Sequence, residues 1–301
     1  MLKKSKACLT MAMIMLAFTT GCVPNNFSFS KEFGKSGSGA SEFLSPTDLE
    51  IDNKGNLVVA DAGNTRFQIL TSAGNVIATG GEFGMDRLQL QSISGIGIDK
   101  NTNEIWVCDQ KASKIVKFDE QGNAQCRAIK KVKYPMDVAV DDVGDIYVLM
   151  ARKSEIYKYD KDGAFIETIG GNGKAALLFP TSIQVYNKHI YVTDFGSKRI
   201  VKLDMEGNFV SEIKKKGEYE EMKGPSSMYI DEAGNMYVLD LGEVPVVILS
   251  SKGEFISQIG SFGNQEGGFL YPIGVIAKNE DDVYVLDNSR NTIINFRKKS
   301  S

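Results

Sequence analysis

A segment that opens on proline recurs along this chain, and its period restricts the fold more than any other feature. It is clearest from Pro46 to Leu70, where an apolar run, an Asp52-Asn-Lys-Gly55 turn, a second apolar run and a polar loop follow one another. Pro135, Pro180, Pro225 and Pro272 open equivalent segments, and Ile93 takes that place in the second copy, giving steps of 47, 42, 45, 45 and 47 residues. Six copies of several short strands each, at this spacing, exclude a helical solenoid.

Each copy reads as four strands. The first follows the proline, which a strand tolerates at its first residue because no ladder donor is needed there. Turns such as Asp141-Asp-Val-Gly144 and Asp231-Glu-Ala-Gly234 supply a side-chain acceptor and a permissive backbone. Second strands, among them Ile105-Trp-Val-Cys108 and Met236-Tyr-Val-Leu239, are apolar without alternation and therefore suit burial on both faces. Third strands insert a lysine, as in Ile115-Val-Lys-Phe118, and a second glycine turn leads to a short outer strand. The pattern predicts an all-β, six-bladed β-propeller. The last copy ends at Arg297 after its third strand, and Phe29-Ser-Lys-Glu-Phe-Gly34 matches the outer strands at Phe165–Gly170 and Phe255–Gly260. The N-terminus is therefore expected to supply the missing outer strand and close the ring.

Proline, apolar run, Asp-x-x-Gly, apolar run, Asp, a small polar loop and Arg, as in Asp61-Ala-Gly-Asn-Thr-Arg66 and Asp194-Phe-Gly-Ser-Lys-Arg199, resemble the NHL repeat over residues 27 to 297. The resemblance implies the propeller and leaves the activity open, because NHL-type propellers include lyases, RNA binders, sensor ectodomains and interaction scaffolds. Met150 replaces the expected Asp, Glu155 and Pro245 replace the expected basic residue, and Ile93 replaces proline.

Ahead of the repeats, Lys3, Lys4 and Lys6 precede an apolar run from Cys8 to Phe18, the layout of an export signal. Thr19-Thr20-Gly21-Cys22 looks like a bacterial lipobox, so residues 1–21 are expected to be a signal peptide, Cys22 the lipidated first residue, residues 22–26 a tether and residues 27–301 one domain. Localisation would be the cell envelope, membrane-anchored. Cleavage removes three lysines and no acid, which takes the formal charge from −3 to −6. An acidic exported protein without an evident basic stripe argues against a nucleic-acid partner. Strand directions put the lead-in prolines on one face, the top, and the glycine turns with both chain ends on the bottom. The tether would hold the bottom near lipid, aided by Arg297, Lys298 and Lys299.

Chemistry is sparse. His189 is the only histidine and falls in a hairpin, which excludes multi-histidine sites and Ser-His-Asp arrangements. Asp61, Asp109, Asp194, Asp240 and Asp287 end second strands and form a ring that either accepts backbone N–H groups or contributes to a binding face. Asp48 and Asp137 follow the opening proline by two, where other blades have Gly95, Ser182, Ser227 and Gly274. With Glu50 and Gln184 they are candidate oxygen ligands for Ca²⁺ at the channel mouth, and no other cofactor is expected. Tyr219 and Met222, in a mixed-charge loop, are candidate partner anchors. Aromatics ending the lead-in loops, Phe43, Phe179 and Phe269, are expected to wedge between blades. Cys108 and Cys126 should stand about 10 Å apart across an intervening strand, too far for a disulfide. The expected protein is a monomeric, non-catalytic module binding a protein or cell-envelope ligand on its top face. The alternatives are a Ca²⁺-dependent hydrolase or lyase and a ligand sensor for a membrane partner.

Overall fold

The computed structural model describes residues 26–170, 173–215 and 221–299, with the side chains of residues 126 and 127 also outside the description. Six four-stranded antiparallel sheets are arranged in a ring, each contacting the next through its innermost strand. The innermost strands are Asp48–Ile51, Ile93–Ile98, Asp137–Val140, Pro180–Tyr186, Pro225–Ile230 and Pro272–Asn279, opening blades 1 to 6. Helical structure among the described residues is confined to the 3₁₀ turns Ala62–Asn64 and Gly173–Ala175.

Closure occurs as the sequence requires. Phe27–Phe33 pairs antiparallel with Thr292–Lys298, so blade 6 consists of three C-terminal strands and one N-terminal strand. Phe27 faces Lys298 across the ladder and is buried against blade 5 side chains including Val246 and Ile259. The closing strand therefore contributes core as well as ladder, and it begins at the bottom beside the Asn279–Asp282 turn.

The packing explains the unbroken apolar second strands. Leu57–Asp61, Ile105–Asp109, Ile146–Met150 and Met236–Asp240 are buried at every residue. Buried apolar side chains among the described residues fall into six clusters, one at each junction between neighbouring blades. A second strand thus packs against a blade on each side, and no polar face is available to it.

The lead-in loops repeat a three-residue division of labour counted back from the opening position. Three residues before it, Phe43, Leu90, Val132, Leu177, Met222 and Phe269 each plug one junction. Two corrections follow. Met222 is a wedge with 1 % of its surface exposed, not a partner anchor. Phe43 and Phe269 wedge as expected, but Phe179 lies two positions beyond Leu177, which does the wedging in its blade; Phe179 is 69 % exposed.

Candidate functional site at the top of the channel

The five repeated aspartates tie each lead-in loop to its blade. Asp61 accepts the Leu44 N–H at 2.7 Å, Asp194 that of Leu178 at 2.6 Å and Asp287 that of Leu270 at 2.6 Å. Asp109 accepts from Gln91 and Ser92, and Asp240 from Lys223 and Gly224. Arg66 and Arg199 add 2.8 Å ion pairs to Asp61 and Asp194. All five carboxylates are buried, so of the two roles open to the ring they occupy the backbone-accepting one, beneath the surface a partner would touch. In blade 3 Met150 cannot accept such bonds. There the Arg152 guanidinium stacks 3.7 Å above the Tyr134 ring, joining lead-in loop to strand turn by a cation–π contact.

Over the innermost strands lies a cavity of about 370 Å³. Hydroxyls of Thr47, Ser94, Thr181 and Ser226 line it together with Met136, Phe195, Leu241 and Ile273. Asp48 and Asp137 both border it, and each bridges two blades. Asp48 accepts the Leu49 N–H of its own strand and the Ile96 N–H of blade 2, both at 2.8 Å. Asp137 accepts from Val138 at 2.8 Å and from Ile183 of blade 4 at 2.9 Å. Glycine in blade 2 has a steric cause: a Cβ on Gly95 would stand 2.7 Å from the Met136 carbonyl and 2.8 Å from the Asp137 Cα.

Burial pushes Asp48 well above the usual carboxylate range, with the Asp137 and Glu50 charges adding to the effect. Burial also lifts Asp137, to about 7, against the opposing pull of its Ile183 bond. Glu50 lies lower in the channel, likewise raised by burial and eased by Lys100 and Gln184. Gln184 Nε2 donates to Glu50 Oε1 at 2.9 Å. Because blades 1 and 4 stand opposite one another, this bond crosses the channel. It lies between the upper cavity and a lower one of about 520 Å³ bordered by Lys100, Tyr186 and Tyr229.

The Ca²⁺ reading fits these donors poorly. Every oxygen of Asp48 and Asp137 already accepts a backbone N–H, and Glu50 faces Gln184 through Oε1 and Lys100 through Oε2. Among the described residues no three His, Cys, Asp or Glu side chains converge as a metal ion would need. His189 caps the hairpin at the bottom of blade 4, its Nδ1 2.8 Å from the Asn187 carbonyl. Cys108 is a buried free thiol whose pKa burial raises; the Cys126 side chain, Cys22 and Tyr219 lie outside the described residues.

The sequence reading missed the exposed apolar rim. One and two residues before the opening position, Tyr134, Leu178, Phe179, Leu270, Tyr271 and Leu44 are all exposed on the top face. Tyr134 and Phe179 hold φ of 57° and 53°, a left-handed conformation that costs a bulky residue about 1–2 kcal/mol. Their offset from the proline was visible in the sequence. Their exposure needed the wedge register.

Comparison with known proteins agrees with this architecture. A family profile described as 6-bladed beta-propeller (DUF5128) matches residues 130–230. "Protein brain tumor" of Drosophila melanogaster is 27 % identical over 141 residues, 46 % of this chain but only 14 % of that protein. Among solved structures, a protein of unknown function from Bacteroides thetaiotaomicron superposes with TM-score 0.68 at 14 % identity, covering 90 % of this chain and 75 % of that one. The virginiamycin B lyase of Staphylococcus aureus gives 0.62 at 13 %, covering 90 % and 99 %. A streptogramin B lyase gives 0.61 at 16 %, covering 92 % and 89 %. At such identities the structural likenesses speak for the fold alone. Repeat, ring and profile together make this chain a six-bladed β-propeller whose repeats resemble the NHL repeat.

Proposed function

We propose that the protein is an exported, lipid-anchored and non-catalytic binding module whose top face receives a protein or cell-envelope ligand, and that it works as a monomer without a metal cofactor. The exposed apolar rim around the upper cavity carries this reading. Six apolar side chains held in solvent on loops tied to their blades make a surface suited to a partner. Anchoring through Cys22 would suit it, because the described N-terminal strand starts at the bottom and leaves the rim facing away from lipid. Two of the three C-terminal cations add less than their charge suggests. Arg297 lies 3.7 Å from Asp282 and Lys298 pairs with Glu280 and Asp281, so their attraction to anionic lipid is largely offset. A photo-crosslinking residue at Tyr271, set against one at Val143 on the bottom, tests the reading in intact cell envelopes. Crosslinking through Val143 and not Tyr271 would overturn it, and unchanged membrane attachment of Cys22→Ala would overturn the anchor.

A hydrolase or lyase reading has one specific observation behind it, the Asp137 carboxyl near neutrality at the edge of a ligand-sized cavity. Several structural neighbours are lyases, and a histidine-to-alanine form of the virginiamycin B lyase is described as catalytically inactive. This chain has one histidine, on the opposite face, so a lyase of that kind would need another base. The same cavity could serve the ligand-sensing alternative, with ligand binding reported to a membrane partner.

A further inference from the structure

The overall charge conceals an asymmetry between the two faces. Lys111, Lys131, Lys133, Arg152, Lys174 and Lys198 all lie on top-face loops of blades 2 to 4 and are exposed. None has an ion pair among the described residues. The loops that carry them, residues 110–113, 131–136, 151–154, 173–180 and 195–198, contain no aspartate or glutamate. Acids border the sector: Glu82 and Asp86 are exposed in the lead-in loop of blade 2, and Glu155 is taken by Lys153 at 4.0 Å. The loops are joined as one surface: Val132 N–H bonds the Ser113 carbonyl, Arg152 stacks on Tyr134, and Gly196 N–H bonds the Leu178 carbonyl. On the bottom, by contrast, turns such as Asp141-Asp142 and Glu280-Asp281-Asp282 are acidic. A protein of formal charge −3 thus presents a one-sided cationic sector on the face proposed to bind.

We infer that this sector of blades 2 to 4 docks an acidic, leucine- or aromatic-bearing surface of a partner protein. This rests on the top-face reading and adds the partner's chemistry. Exposed cations alone would accept any polyanion, so the side chains between them decide the class. Leu178 is exposed beside Phe179, and an aliphatic side chain offers nothing to a stacked base, whereas apolar contacts ringed by charge are what a protein interface uses. Arg152 is already held flat on Tyr134, so the guanidinium edge is pre-oriented for a carboxylate at little entropic cost.

The test measures fluorescence anisotropy of a labelled synthetic peptide of glutamate, leucine and phenylalanine against the purified soluble chain. A Lys131→Glu, Lys133→Glu, Arg152→Glu, Lys198→Glu variant should bind about tenfold more weakly, with a shallower salt dependence. A bottom-face control, Lys54→Glu, Lys161→Glu, Lys252→Glu, Lys278→Glu, carries the same charge change and should bind as the parent does. Glutamine in place of glutamate at the four top positions gives a milder version should charge reversal disturb folding. Absence of measurable peptide binding, or equal loss in both variants, overturns the proposal. Tighter binding of labelled oligouridylate than of peptide, through the same four residues, overturns the partner class while leaving the top face as the binding face. Loss confined to the bottom variant would overturn the top-face reading itself.

Discussion

Replacing Asp287 by alanine separates a structural carboxylate ring from a ligand-binding one. The side chain accepts the Leu270 N–H at 2.6 Å, the Tyr271 N–H at 3.2 Å and the Arg290 N–H at 3.1 Å, so alanine leaves three backbone donors without their acceptor. An unsatisfied buried donor costs about 1–3 kcal/mol. Leu270 and Tyr271 are partly exposed, and water can reach one of their N–H groups, which brings the expected loss to about 3 kcal/mol. For a domain of this size that lowers Tm by roughly 6 °C. Asp287→Asn keeps one accepting oxygen and should lose about half as much. Differential scanning calorimetry of the three proteins reads the series directly. A Tm within about 1 °C of the parent for Asp287→Ala, accompanied by lost partner binding, would refute the reasoning and return the carboxylate ring to the binding face.

Stability should fall as pH rises from about 4 to 7 through Asp137. Its folded-state pKa, about 7, exceeds the ordinary carboxylate value, so the folded protein keeps a proton that the unfolded chain releases, and the associated stability is complete below about pH 4 and lost as pH passes 7. Asp48 shifts in the same direction, and thermal melts that are flat or rise between pH 5 and 8 would contradict the prediction. Deleting residues 27–33 should expose the edge of Thr292–Lys298 and remove Phe27 from the core, costing several kcal/mol and producing aggregates by light scattering; an unchanged melt would show that the ring closes otherwise. Phe179→Gly should raise stability by about 1 kcal/mol in urea titrations by relieving its left-handed backbone, while weakening partner binding; destabilisation would mean that the ring packs in a way its 69 % exposure does not suggest.

The propeller and its closure were legible because both rest on periodicity. An opening segment every 42 to 47 residues, on proline in five of six copies, and an orphan outer-strand motif at the N-terminus leave few other ways to pair the strands. Individual side chains in the lead-in loops were harder to read, since Phe179 and Phe269 look alike in sequence, each an aromatic at the end of a glycine-containing loop. Only the packing shows that Leu177 holds the wedge in blade 4, leaving Phe179 outside. Met222 was misread for the converse reason, as its charged neighbours suggested a surface loop while its distance of three from Pro225 marked it as core. Glu50 and Gln184 are 134 residues apart, and nothing local announces that they meet across the channel. The cationic sector escaped a whole-chain charge count because acids in the bottom turns cancel it.

In most blades the lead-in loop keeps the packing of the junction and the exposed rim on separate residues, so the rim can vary without disturbing the fold. The wedge, three before the opening position, must be apolar, and Phe, Leu, Val and Met all serve because a junction tolerates different shapes if its volume is filled. The next residue contributes its backbone N–H to the blade's aspartate, so its side chain, Leu44, Gln91, Leu178, Lys223 or Leu270, is free to vary. The last residue before the opening position has a constrained backbone, left-handed in blades 1, 3 and 4 and bonded to the aspartate in blades 2, 5 and 6, yet its identity varies: Ser45, Ser92, Tyr134, Phe179, Gly224 or Tyr271. Blade 3 shows that even the aspartate can be replaced, once Arg152 and Tyr134 take over the tie between loop and blade. That exchange also converts a buried structural contact into an exposed one. The blade that departs furthest from the repeat is therefore the one whose structural device stands where a partner would meet it, at the centre of the cationic sector.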